Sequence, residues 1–213
     1  WDILTIWTNY LVEYGQDPSN QLCTDDFAGH WAHNANLSVK AIMGIAGYSE
    51  IARMLGFNDV ADEYATIAKK MAVKWEEMAN EGDHYRLAFD REDTWSQKYN
   101  MIWDKMWGLN LFPNNVIDKE INYYLTKQNP YGLPLDSRKD YTKSDWIMWT
   151  AAMSSDQITF EKFVDPLYKY VNETISRVPI SDWYDTKTNQ MTGFKARSVI
   201  GGHWMKVLTD KML

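Results

Sequence analysis

The chain reads as an all-α protein, a ring of antiparallel helical hairpins, and three observations predict it. Helix-period segments of two kinds alternate along it: some carry one apolar stripe, others are apolar nearly all round. The connections alternate as well, long and polar after a striped segment, tight after an apolar one. The count comes to about eight helices, two-thirds of a six-hairpin ring. A striped helix lies outside and an all-apolar helix inside, so every outer-to-inner connection falls on the same face. An irregular α-solenoid with the same helix count is the alternative. The 213 residues are read as one domain, 1–213.

Residues 1–14 place Ile3, Leu4, Trp7, Leu11 and Tyr14 near the 3.6 period and stop at Gly15. Asn34 is placed to cap an apolar helix running to Leu55, with Gly44 and Gly47 permitting close packing. Residues 59–80 carry one stripe from Val60 to Met78. HYRLAF, residues 84–89, alternates like a short strand. Residues 100–112 form the next apolar helix, ended by Pro113, and Asn115 caps a striped one to Lys127. An inner helix spans 144–153; Ser155 then caps an outer one interrupted near Pro166. A last helix runs from Arg197 to the end.

Four long polar loops, near residues 17–34, 81–99, 128–143 and 179–196, are therefore expected as neighbours. Each sets acids beside aromatics. The first has Asp25 and Asp26, followed by His30, His33 and Asn34. Trp95 follows Asp90, Glu92 and Asp93 in the second, and Trp103-Asp104 lies on the helix behind it. Asp136, Arg138, Asp140 and Lys143 lead into Asp145-Trp146, while Asp182-Trp183 and Arg197 belong to the fourth. Carboxylates whose environments separate their pKa values act as general acid and base, and an adjacent Trp raises a carboxyl by lowering local polarity. The plain reading of an Asp before a helix is an N-cap, and of an Arg among acids a structural pair.

His30 and His33 share a helix-like spacing without the HExxH pattern, so hydrogen-bonded structural histidines are expected, and no metal or cofactor. His203, behind Gly201-Gly202, is read as packing, and Cys23 as a small core residue. No GxSxG elbow, Walker A loop or GxGxxG fingerprint occurs. The net charge of −7 and the lack of a basic run argue against nucleic acid. No apolar run approaches the roughly 18 residues of a membrane span. With 11 Trp, 13 Tyr and 7 Phe, the aromatic content suits a thick core, a sugar-stacking cleft or an interface rim. A start at Trp1, inside a helix, is read as an excerpt of a longer protein.

Four stretches carry a family resemblance: NQLCTDDFAGHWAHNANLSVKAI, YNMIWDKMWGLNLFP, YGLPLDSRKDYTKSDWIMW and SDWYDTKTNQMTGFKARSVIGG. They are similar to the glutaminase A family of bacteria and fungi, in its six-helical-hairpin region. The resemblance implies an (α/α) toroid like that of six-hairpin glycosidases, within a larger exported protein, secreted or periplasmic. It also implies hydrolysis of L-glutamine to L-glutamate and ammonia.

Together these readings give a hydrolase acting on a small molecule, an amino acid or a sugar. Asp25, Asp26, Asp145 and Asp182 are the catalytic candidates. His30, Asn34, Trp103, Asp104, Asp136, Arg138, Lys143, Trp146, Trp183 and Arg197 are the substrate-binding ones. The remaining N-terminal domains of the same protein are the expected partners. Glycoside hydrolysis by two of the same acids, or a non-catalytic carbohydrate-binding domain, stands as the alternative.

Overall fold

A computed structural model describes residues 1–20 and 25–212. Cys23 lies outside the described residues, as does the side chain of Asp26. The described residues are mostly helical and include eight α-helices: α1 (Asp2–Tyr14), α2 (Ala35–Met54), α3 (Asn58–Ala79), α4 (Ile102–Trp107), α5 (Asn114–Leu125), α6 (Ser144–Ala152), α7 (Gln157–Glu173) and α8 (Met205–Met212). No helix among the described residues is long and apolar enough to cross a membrane.

The alternation of inner and outer helices holds from α2 to α7. α2 and α6 are buried on nearly every side, whereas α3 buries only the stripe from Ala61 through Tyr64, Ala68, Met71 and Trp75 to Ala79. The apolar core runs between them, from Val39 and Ile42 through Trp75, Ile102 and Val116 to Ile147, Phe163 and Tyr170. The tight-turn end is stitched by lysines. Lys105 on α4 reaches the carbonyls of Ala152, Met153 and Ser154 at 3.2, 3.1 and 2.9 Å, a cation where the C-terminus of α6 is most negative.

Several elements depart from expectation, each for a local reason. α4 is a single short helix behind the 3-10 turn Tyr99–Met101, and Gly108, left-handed at φ 64°, ends it. Pro113, not Asn115, stands at the cap of α5. Asp156, not Ser155, caps α7 by accepting from the Thr159 N–H at 2.9 Å, and α7 continues through Pro166. The final helix opens with a 3-10 segment, Ser198–Trp204. The stripe expected on α1 is mostly turned outward: Ile3, Trp7 and Tyr14 are exposed. α1 meets α2 through Leu11 over Gly44, Gly15 against Ala41 and Trp1 stacked on Tyr48 at 4.6 Å.

HYRLAF forms no strand and is held by isolated bridges, Asn34 to Ala88 and Asn80 to Tyr85. The sheet lies elsewhere: β1 (Tyr141–Lys143), β2 (Ser181–Asp185) and β3 (Met191–Lys195) pair antiparallel in that order. Lys143 faces Trp183 across β1 and β2, and the β2–β3 pairing shifts register between Trp183 and Tyr184. Asp185 closes the β2–β3 hairpin, taking the backbone N–H of Lys187 and of Thr188 at 2.9 and 2.8 Å, and Asn189 supplies the left-handed residue. This small sheet is the addition to an otherwise helical fold.

Candidate functional site

The long loops meet. Phe27 of the first inserts among aromatics from the third and fourth, 4.8 Å from Trp183, 5.7 Å from Phe194, 6.0 Å from Tyr141 and 6.1 Å from Trp146. Arg138 joins the same loops by polar bonds. Its Nε and Nη2 grip the two oxygens of Asp136 at 3.0 and 2.6 Å, and its Nη1 donates to the Gly29 carbonyl at 2.8 Å. The second loop is sewn to the third by Gln97, whose backbone N–H bonds the Leu135 carbonyl at 2.9 Å and whose amide reaches the Pro134 carbonyl at 2.9 Å.

Where the third and fourth loops cross, sheet and helix place acids around one cation. Lys143 ends β1 and is 1% exposed; Asp145 lies in the first turn of α6, and Asp182 on β2 is wholly buried. The Lys143 ammonium lies 3.2 Å from Asp145 and in direct contact with Asp182, 5.0 Å above the Trp146 ring. Arg197 Nη2 adds a bond to Asp182 at 3.0 Å, from a side chain 38% exposed. The charges therefore balance, two acids against two bases. Burial pushes the Asp145 carboxyl up, with Lys143 opposing and Asp182 adding to the rise. Behind them, His203 Nε2 meets Ser144 Oγ at 3.0 Å, and burial pushes that imidazole down. Gly202 makes this approach possible: a Cβ there would stand 2.8 Å from Trp149 Nε1 and 2.9 Å from Asp145 Cβ. Gly201, by contrast, has nothing within 4 Å of where a Cβ would stand, so the close packing belongs to Gly202.

Four buried polar atoms around this cluster meet no partner among the described residues: Asp182 Oδ1, Trp183 Nε1, Trp149 Nε1 and Arg197 Nε. Buried polar groups are almost always paired, so four together call for an explanation. Beside them lies a cleft of ≈ 450 Å³, lined by Tyr99, Asn100, Trp103, Trp107, Trp146 and Trp149. Tyr99 stacks flat on Trp146 at 4.4 Å, and Trp103 stands edge-on to Trp149 at 5.3 Å.

The other candidates fall into different places. Asp25 is buried and electrostatically coupled to Arg138 and to Lys98. Asp136 and Arg138 form a structural bidentate pair, so the guanidinium has three donors engaged by protein. Asn34 caps α2, accepting the Leu37 N–H at 2.8 Å. His30 is exposed on the first loop, and His33 bonds Asp17 at 2.8 Å. Asp104 is drawn away from the loop face, its oxygens taking the Leu111 and Phe112 N–H groups at 3.0 Å each. Leu111 and Phe112 lie in the connection between α4 and α5, where no helical carbonyl accepts their N–H groups. Asp90, Glu92 and Asp93 are exposed.

Sequence reasoning passed over Phe27, Phe194 and a buried network behind the second loop. There Lys98, fully buried, bonds the carbonyls of Tyr85 and Ser96 at 3.1 and 2.9 Å and Glu120 at 3.4 Å. The Tyr124 hydroxyl, with one proton to give, lies within hydrogen-bond reach of both Glu120 and the Ser96 carbonyl. A Lys-to-Glu spacing of 22 residues carries no local signal; only the packing of α5 against the loop joins them.

Residues 1–207 match the family described as the glutaminase A six helical-hairpin domain. The chain is 39% identical over 207 residues to Glutaminase A of Aspergillus oryzae, covering 94% of this chain and 30% of that protein. It is 34% identical over 237 residues to a probable glutaminase of Arthroderma benhamiae, covering 96% of this chain and 27% of that one. The chain thus spans about a third or less of the length of these relatives.

Proposed function

The chain belongs to the glutaminase A six helical-hairpin family, and from that premise we propose that it carries a site hydrolysing the side-chain amide of L-glutamine to L-glutamate and ammonia. One observation supports this above others: Asp145 and Asp182 flank a single buried ammonium, with Arg197 at the solvent-reached edge and unpartnered polar atoms around them. In this reading Asp182 takes a proton from water as the water oxygen bonds to the amide carbon. The C–N bond then breaks as Asp145, whose carboxyl burial pushes up, gives a proton to the departing nitrogen. Lys143 steadies the negative charge developing on the amide oxygen. Arg197 holds the α-carboxylate, and Trp103, Trp146 and Trp183 wall the substrate. Asp25 and Asp26 are the alternative pair for the acid and base roles. Glycoside hydrolysis sets a sugar ring between its two acids, and Lys143 stands in that gap. The (α/α) toroid is part of the same proposal, these hairpins being completed by further ones in the longer protein.

Ammonia release from L-glutamine by the full-length protein tests the reading. D145N and D182N are expected to reduce kcat by at least about 100-fold, the usual yield of a positioned acid or base. Full activity in both variants, or wild-type protein inert toward glutamine yet active on an aryl glycoside, would sink it.

A further inference from the structure

Phe194 and Ala196 hold φ of 54° and 55°, although neither is glycine. A bulky ring in the left-handed region is a genuine outlier, and such residues persist only where their surroundings over-determine them, often at working sites. Here the surroundings are on view. The ladder of β2 and β3 pairs Trp183 with Gly193 and Ser181 with Lys195, and the Ala196 N–H still bonds the Ile180 carbonyl at 3.3 Å, so the chain is gripped on both sides of Phe194. Between those grips the ring of Phe194 is turned inward, 4.8 Å from Trp183 and 5.7 Å from Phe27.

The consequence appears three residues on from Phe194. The Arg197 guanidinium carbon lies 4.1 Å from the Phe194 ring centre, within cation–π range. Its Nη2 bonds Asp182 at 3.0 Å. Lys143 and Asp182 are 1% and 0% exposed, whereas the Arg197 side chain is 38% exposed, so it is the cation of the cluster that solvent reaches. A guanidinium laid on a ring and tied at one nitrogen has its plane fixed, with the free edge set for a carboxylate.

We propose that Phe194 is a positioning residue, its left-handed backbone and its ring together aiming Arg197 at the α-carboxylate of an amino-acid substrate. The assignment rests on the glutamine reading above. A ring required only for packing would be served as well by Leu, and loss of packing would not distinguish one substrate group from another. A ring that aims a cation must be aromatic, and only ligands bearing the carboxylate register its loss.

The test uses the full-length protein with two amides: L-glutamine, and 4-aminobutanamide, which lacks the carboxylate. F194L is expected to raise KM for L-glutamine roughly three- to tenfold, the range of a partly exposed cation–π contact, with kcat changed less than about twofold. KM for 4-aminobutanamide is expected to stay within about twofold of wild type, and F194Y to restore the wild-type KM for glutamine. Inhibition by the product L-glutamate is expected to weaken in F194L by the same factor as KM rises. Retained kcat shows that the variant folds. Equal rises in KM for both amides, or a fall in kcat at constant KM, would overturn the positioning role while leaving the glutamine reading intact. Wild-type protein that releases no ammonia from glutamine overturns that reading and the proposal with it.

Discussion

Replacing Lys143 with Met removes the ammonium that two buried carboxylates share and keeps a side chain of similar reach. Asp182 is fully buried and the Asp145 side chain is 5% exposed, so neither recovers hydration when the cation goes. Arg197 still meets Asp182, but Asp145 loses the charge that opposes its desolvation. Deleting one partner of a buried pair leaves an uncompensated charge, at a cost of about 3–5 kcal/mol. Protonation offers the only relief, and it sets the pH dependence. A carboxyl whose folded pKa is raised contributes stability below its unfolded value, 3.8 for Asp145, and loses it as pH rises through the folded value. The K143M deficit is therefore largest near pH 8 and shrinks toward pH 5. Hydrogen exchange at the amides of α6 reads it locally within the full-length protein. At about 1.4 kcal/mol per factor of ten, protection falls roughly 150- to 5,000-fold. A loss of less than about fivefold at pH 8, or a deficit that grows as pH falls, would refute the shared-cation account.

Three further perturbations probe other links. N34A removes the acceptor for the Leu37 N–H at a buried helix start and is expected to destabilise α2 by about 1–2 kcal/mol; unchanged amide protection across residues 35–40 would contradict the capping role. A196G relieves a left-handed alanine and is expected to raise local stability by about 0.5–1 kcal/mol, read as slower exchange at residues 193–197; faster exchange would show that the backbone there is not strained. The third concerns His203, whose imidazole is pushed below 6.5 by burial. Its stabilising contribution is present above pH 6.5 and is lost as pH falls through the lowered folded value. H203Q should therefore flatten the acid limb of thermal stability below pH 6.5, and identical wild-type and variant limbs would exclude His203 as its source.

Much of the helical order was legible because periodicity is local. The stripe on α3 and the all-round burial of α2 and α6 follow from residues three and four apart, which any helix brings to one face. Asn34 was readable as a cap for the same reason, its partner being three residues away. The strands were less so. Residues 141–143 pair with 183–185, and nothing within a three-residue segment names a partner forty residues on. HYRLAF had the better alternation yet no neighbouring edge to join.

The candidate site divides along the same line. Sequence by itself determined that acids and aromatics collect in four long loops, and the alternation of outer and inner segments made those loops expected neighbours. It could not determine which acid meets which base. Arg138 looked equivalent to Arg197, and Asp104 was a substrate-binding candidate, but Asp136 with the Gly29 carbonyl claimed the first, and the N–H groups after α4 claimed the second. Tertiary structure alone put Lys143 between Asp145 and Asp182, and Arg197 on the ring of Phe194. The physical reason is that periodicity is written in neighbouring residues, whereas the environment of a charge is set by whatever the fold packs against it.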